Sequence, residues 1–104
     1  MHIIAKPAFA AAAERFPAQR EAIMRTYRDL KSAQYDSPDE MRRQYPSLDN
    51  FKYKDGWWVL DIGGNHVRLI AGIQFSGKRI FVKHIVTYAE YDKLCDKYRR
   101  GRLK

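Results

Sequence analysis

The hydrophobic period changes once along this 104-residue chain, near residue 56, and that switch limits the possible folds more than any other feature. Before it, apolar residues recur at helical spacing. Phe9, Ala13 and Phe16 fall at i, i+4 and i+7, with Pro7 suited to a first turn and Pro17 ending the segment. Ile23, Tyr27 and Leu30 repeat the spacing over residues 18–32, opposite Arg20, Glu21, Arg25, Arg28 and Asp29, so the two segments read as a helical hairpin. Ser37-Pro38-Asp39-Glu40 joins a capping serine, a proline at the first helical position and a glutamate three residues after the cap, which predicts a short helix to Tyr45. His2–Ala5 reads as an opening strand, and residues 47–55 as a polar, turn-rich connection.

After the switch the period is two. Trp58, Leu60 and Ile62 alternate along one strand, and Val67, Leu69, Ala71, Ile73 and Phe75 along the next. Gly63-Gly64-Asn65 tolerates the positive backbone angles of a tight hairpin, and Ser76-Gly77 turns the chain again. Arg79–Val86 is a third strand, and Thr87 caps a last helix carrying Glu90, Tyr91, Leu94 and Cys95. The order predicts an α+β domain, with helices on one face of a largely antiparallel sheet and the other face comparatively free for a ligand.

At this length one hydrophobic core is the default, so the reading is a single domain over residues 1–104, with 96–104 as a basic tail. An apolar content of 45% supports a packed core. No apolar run approaches the roughly 20 residues of a membrane span, and the first residues carry no leader pattern, so a cytoplasmic protein without membrane contact is expected. One cysteine excludes an internal disulfide and a cysteine metal cage. His2, His66 and His84 lack ligand spacing, and no glycine-rich phosphate loop precedes a helix, so neither metal nor cofactor is expected.

Charge points to a polyanion. Residues 1–75 carry 11 basic and 9 acidic groups, whereas residues 76–104 carry 9 and 3, so most of the +8 excess lies in the last quarter. Membrane binding is a poorer explanation, because the basic end has little apolar surface beside it. Strand register then selects the candidates. If the apolar side of residues 66–75 covers the helices, the next strand should turn Ile80, Val82 and Val86, with His84, inward. Arg68 and Lys83 would share the open face with Ile85 and Phe81, the last a platform for a base.

Three segments carry a family resemblance: Ser47-Leu48-Asp49-Asn50-Phe51-Lys52-Tyr53, Gly63-Gly64-Asn65-His66-Val67-Arg68, and Val86-Thr87-Tyr88-Ala89-Glu90-Tyr91-Asp92-Lys93. Across nearly its whole length the chain resembles the HigB-type toxins of bacterial toxin–antitoxin pairs. The resemblance implies a RelE-like fold, ribosome-dependent cleavage of mRNA in the A site, and a cognate helix-turn-helix antitoxin of the HigA type, held in a toxin–antitoxin hetero-oligomer. The family usually has histidine where this chain has Tyr88. That matters because imidazole titrates near neutrality and a phenol ordinarily near 10, although RelE-like toxins vary here and some use tyrosine.

Metal-free RNA cleavage must activate a 2′-hydroxyl, stabilise charge gathering on phosphorus and protonate the leaving 5′-oxygen. Arg68, with Lys83 beside it, is expected to hold the phosphate, and Tyr88 and Tyr91 to serve the ribose. Lys52, Asn65, Lys78, Arg79, Phe81, Lys97, Arg99 and Arg100 are expected to bind the RNA. The alternatives are a non-catalytic RNA-binding protein, which would leave no new 5′ ends on translated messages, and a plain interaction protein whose basic patch meets an acidic partner.

Overall fold

The computed structural model describes residues 1–4, 6–64 and 66–101. Strand β1 (His2–Ile4) leads into α1 (Lys6–Arg15), a single 3₁₀ turn (Pro17–Gln19), α2 (Arg20–Ser32) and α3 (Pro38–Gln44). Then come β2 (Asp49–Asn50), β3 (Trp57–Ile62), β4 (Val67–Gln74), β5 (Arg79–Thr87) and α4 (Tyr88–Arg99). Local chemistry sets the helix starts as the sequence predicts. Ser37 accepts a hydrogen bond from the Glu40 N–H at 3.3 Å, and Thr87 with Glu90 forms a reciprocal capping box. Helix α4 continues through Arg99, so residues 96–99 are its last turn rather than tail.

The sheet order is β1-β5-β4-β3-β2, antiparallel except that β1 runs parallel to β5. The pair Asp49–Asn50 on β3 is a strand that the polar reading of residues 47–55 did not anticipate, because two exposed residues carry no alternation to read. Gly63 and Gly64 both take positive φ in the β3–β4 connection, as a tight hairpin requires.

Alternation divides the sheet into two covered faces. Leu60, Ile62, Val67, Leu69, Ala71, Ile73 and Ile80 meet Phe9, Ile23, Leu30 and Met41 of the helices in one larger core. Val59 and Ile70 point the other way and pack with Phe51 and Tyr98, joined by Trp57, Tyr91, Leu94 and Cys95. The expectation of helices on one face only is therefore corrected: α4 lies across the second face, because the apolar Val59 and Ile70 there require cover. No helix among the described residues is long and apolar enough to cross a membrane.

The register of β5 also departs from expectation. Ile70 pairs with His84 and Ala71 with Val82, leaving Lys83 as the extra residue of a β-bulge. Before the bulge, Ile80 and Val82 pack on the larger core as predicted; after it the faces exchange, so Ile85 rather than Val86 packs there. His84, expected inward, instead reaches Tyr98 Oη at 3.0 Å on the α4 side. Burial and then nearby Lys83 hold the His84 imidazole below its ordinary pKa.

Candidate active site

Arg68 stands on the second face at the hairpin end of β4, directly opposite Asp61 on β3, and the two side chains form an ion pair. Its side chain is only 12% exposed, so the pairing is partly shielded from water. Helix α4 begins immediately above. The Arg68 guanidinium lies 4.8 Å from the centre of the Tyr88 ring and 5.5 Å from that of Tyr91, a cation held between two aromatic faces. Three of the residues expected from sequence thus converge.

The helix start is fixed by its cap. The backbone N–H of Thr87 donates to Glu90 Oε1 at 3.0 Å, the Glu90 N–H donates back to Thr87 Oγ1 at 3.2 Å, and Arg15 of α1 donates to the other Glu90 oxygen at 2.5 Å. The Arg15 hydrogen bond, followed by that of the Thr87 backbone, holds the Glu90 carboxyl at about 2. Because Tyr88 and Tyr91 occupy the first turn of this helix, the cap also fixes where their rings stand relative to Arg68.

The two phenols differ in setting. Tyr88 is 51% exposed, whereas Tyr91 is half-buried among Phe51 and Cys95. Burial, with the Cys95 thiol second, pushes the Tyr91 hydroxyl well above its ordinary pKa, and Arg68 offsets this only in part. Tyr91 therefore keeps its proton at neutral pH and can donate a hydrogen bond.

The other expected residues fall elsewhere. Lys83 belongs to a separate group, its ammonium 5.3 Å from the centre of the Trp57 ring and 5.9 Å from that of Phe81. Lys52 lies over Tyr53 in the loop before β3. Lys78 is engaged at the surface by its own chain: its ammonium donates to Tyr35 O at 3.1 Å and Phe75 O at 3.0 Å and pairs with Asp36, which uses its three donors. Lys78 is thus a clamp on the β4–β5 turn rather than a free cation for RNA. Arg79 opens β5 opposite His2 and Gln74, at the end of the sheet away from Arg68. Lys97 is exposed on α4, and Arg99 and Arg100 share the Asp96 carboxylate. Asn65 lies outside the described residues, as do Arg102 and Lys104 of the basic end.

Asp61 is the site residue that the sequence reading passed over. A signal for it exists: it is the only charged residue in Trp57–Ile62, and counting back through the Gly63-Gly64 turn sets it across from Arg68.

Residues 19–94 match the HigB_toxin family, described as the RelE-like toxic component of a toxin–antitoxin system. The chain is 49% identical over 102 residues to an mRNA interferase HigB of Escherichia coli O6:H1, covering 98% of this chain and 99% of that protein. It is 32% identical over 92 residues to the mRNA interferase toxin HigB of Escherichia coli K12, covering 88% of each. The α+β architecture, with its mixed sheet, agrees with that match, and the chain belongs to the HigB family of RelE-like toxins from toxin–antitoxin systems.

Proposed function

We propose that this toxin arrests growth by cutting mRNA on the translating ribosome, in the A site, without a metal ion. The observation that carries the reading is the Arg68 guanidinium, partly buried, steered by Asp61 and held against Tyr88 and Tyr91. In the reaction the 2′-oxygen bonds to phosphorus, the bond from phosphorus to the 5′-oxygen breaks, and a 2′,3′-cyclic phosphate and a 5′-hydroxyl are left. A fixed guanidinium stabilises the charge on the phosphoryl oxygens more strongly as it grows than in the ground state. Asp61 acts as a positioning residue by keeping that guanidinium aimed. Tyr91, which keeps its proton, donates to the reacting group, and exposed Tyr88 meets the ribose. Lys52, Lys97, Arg99 and Arg100 add the positive field that draws in the RNA backbone.

An antitoxin partner follows from membership of a toxin–antitoxin family. We read it as a helix-turn-helix protein of the HigA type, acting in the cytoplasm on a toxin that forms one domain over residues 1–104. The test is primer extension on a message in a reconstituted translation system. Wild-type protein should give discrete new 5′ ends that need translating ribosomes, and a folded Arg68→Ala protein should give at most a trace of them. Cleavage undiminished in that variant would overturn the site, and binding without new ends would make the chain a non-catalytic RNA-binding protein.

A further inference from the structure

A second group of aromatic and cationic side chains stands on the same sheet face, toward the opposite end of β4. Gly72 faces Trp57 on β3 and Phe81 on β5. Lacking a side chain, it leaves a floor over which the Trp57 ring lies: a Cβ built there would sit 3.5 Å from Trp57 Cδ1 and 3.8 Å from Phe81 Cβ. The resulting open cleft is about 240 Å³ and also takes in Asp55, Gln74 and Lys83. That is below the roughly 300–1,000 Å³ usual for drug-sized ligands, and suits one flat ring system.

The cleft is built rather than incidental. The bulge throws Lys83 out of the ladder, where its ammonium rests against Trp57 and Phe81 and forms no ion pair among the described residues. Trp57 is braced from behind by Phe51 and Tyr98, with ring centres 6.0 and 5.6 Å away. The loop forming one wall is tied down by hydrogen bonds from Ile73 N to Gly56 O at 3.1 Å, Trp57 N to Lys54 O at 3.2 Å and Phe51 N to Trp57 O at 2.9 Å. Rigid aromatic faces beside a cation without a carboxylate partner are what an unstacked nucleobase with its phosphate requires.

We infer that the Trp57, Gly72, Phe81 and Lys83 cleft is a nucleotide subsite, in which one base stacks on the aromatic faces while its phosphate pairs with Lys83. The inference rests on the RNA reading above. Gly72 is four residues from Arg68 along β4, about 13 Å at strand rise, so the base held here is a neighbour of the cut position rather than the one cut. The subsite therefore contributes to placing the message and to base preference, and Lys83 serves binding rather than the reacting phosphate.

Trp57 and Trp58 are the two tryptophans of the chain, so Trp58→Phe makes Trp57 the sole emitter. In that background, AMP and a short single-stranded RNA with 2′-O-methyl groups, which cannot be cut, should quench Trp57 emission saturably, and adenosine more weakly. Phe81→Leu should weaken the apparent affinity about tenfold, the size of losing one stacked base, and Phe81→Tyr should restore it. Arg68→Ala should leave AMP quenching within about twofold, because its guanidinium lies in the other cluster. Emission indifferent to AMP and RNA, or full-strength quenching in a Phe81→Leu protein with an unchanged melting curve, overturns the subsite. Cleavage that depends on Arg68 without any quenching would sink this inference alone; quenching without cleavage would sink the nuclease reading alone.

Discussion

Leu69 and Ile70 are neighbours on β4, both almost fully buried, yet they serve different halves of the molecule. Leu69 faces the larger core under α1, α2 and α3, with Phe9, Ile23, Leu30 and Met41 and the rings of Tyr27 and Tyr35. Ile70 faces the second core, made largely of aromatic residues: Phe51, Trp57, Tyr91 and Tyr98. The difference is chemical. Rings line both cores and cations settle against them on both sides, with Lys31 over Tyr27 and Arg42 over Trp58 on the first, but the second sets the shielded, ion-paired Arg68 guanidinium against two phenol rings. Arg68 lies over Tyr88 and Tyr91, and Lys83 over Trp57 and Phe81, on this side. One side of the sheet buries the larger core, and the other joins a smaller core to the candidate site.

The comparison breaks most directly at that neighbouring pair. Leu69→Ala should cost about 2–5 kcal/mol in chemical denaturation while the folded fraction cuts RNA at the wild-type rate per molecule. Ile70→Ala should cost a similar amount and also lower that specific rate, since α4 and Tyr91 rest on it. Equal effects on specific rate would erase the division between the faces. Next in size is the charge itself: Arg68→Ala should reduce cleavage per folded molecule by about 10²–10³-fold, the usual cost of removing one group that stabilises transition-state charge, and should also lower the melting temperature, because Asp61 is left without its partner. Asp61→Asn should fall between wild type and Arg68→Ala in rate, since the guanidinium remains but is less firmly aimed.

Smaller effects belong to the cap that holds α4 over the sheet. Thr87→Ala should lower stability by about 1 kcal/mol, read from denaturant midpoints, and reduce cleavage through the loosened first turn. Smallest is an acid-range effect. Glu90 has its carboxyl pKa depressed from 4.5 to about 2 by Arg15 and the Thr87 backbone, so its contribution is fully present above the unfolded value. It is lost as pH falls from about 4.5 toward 2. Because the Arg15–Glu90 pair is substantially solvent-exposed, screening limits this to about 0.5 kcal/mol, seen as a shallower stability loss over that window in Glu90→Gln than in wild type.

Much of this arrangement was legible in the residues. Period alone separated the helices from the meander, and the caps at Ser37 and Thr87 could be read because capping is a contact between residues three apart. The Gly63-Gly64 turn gave the hairpin, and alternation correctly divided Val67, Leu69, Ala71 and Ile73 from Arg68 and Ile70. Strand register singles out Arg68, the segment of the family resemblance adds Tyr88 and Tyr91, and the fold brings the three together. Lys83 does share the face of Arg68, as alternation predicts, but the facing of His84, Ile85 and Val86 was not legible, because the prediction assumes unbroken alternation along β5. A bulge is a property of two strands, and no local signal in Arg-Ile-Phe-Val-Lys-His-Ile-Val-Thr marks where the extra residue falls.

By itself, then, the sequence determined what depends on neighbours in the chain: helix starts and stops, the turns, which residues of one strand share a face, and the excess of positive charge near the end. Tertiary structure decided what depends on distant partners. It laid α4 over the face expected to be open, because Val59 and Ile70 needed cover. It turned Lys78 onto Tyr35, Phe75 and Asp36, and set Asp61 against Arg68. It set the Lys83 ammonium over Trp57 and Phe81, at the cleft by Gly72, while Arg68 stands against Tyr88 and Tyr91. The physical reason is common to all four: burial and ion pairing are settled between segments dozens of residues apart or across strands, where the pattern of either partner alone does not specify the other.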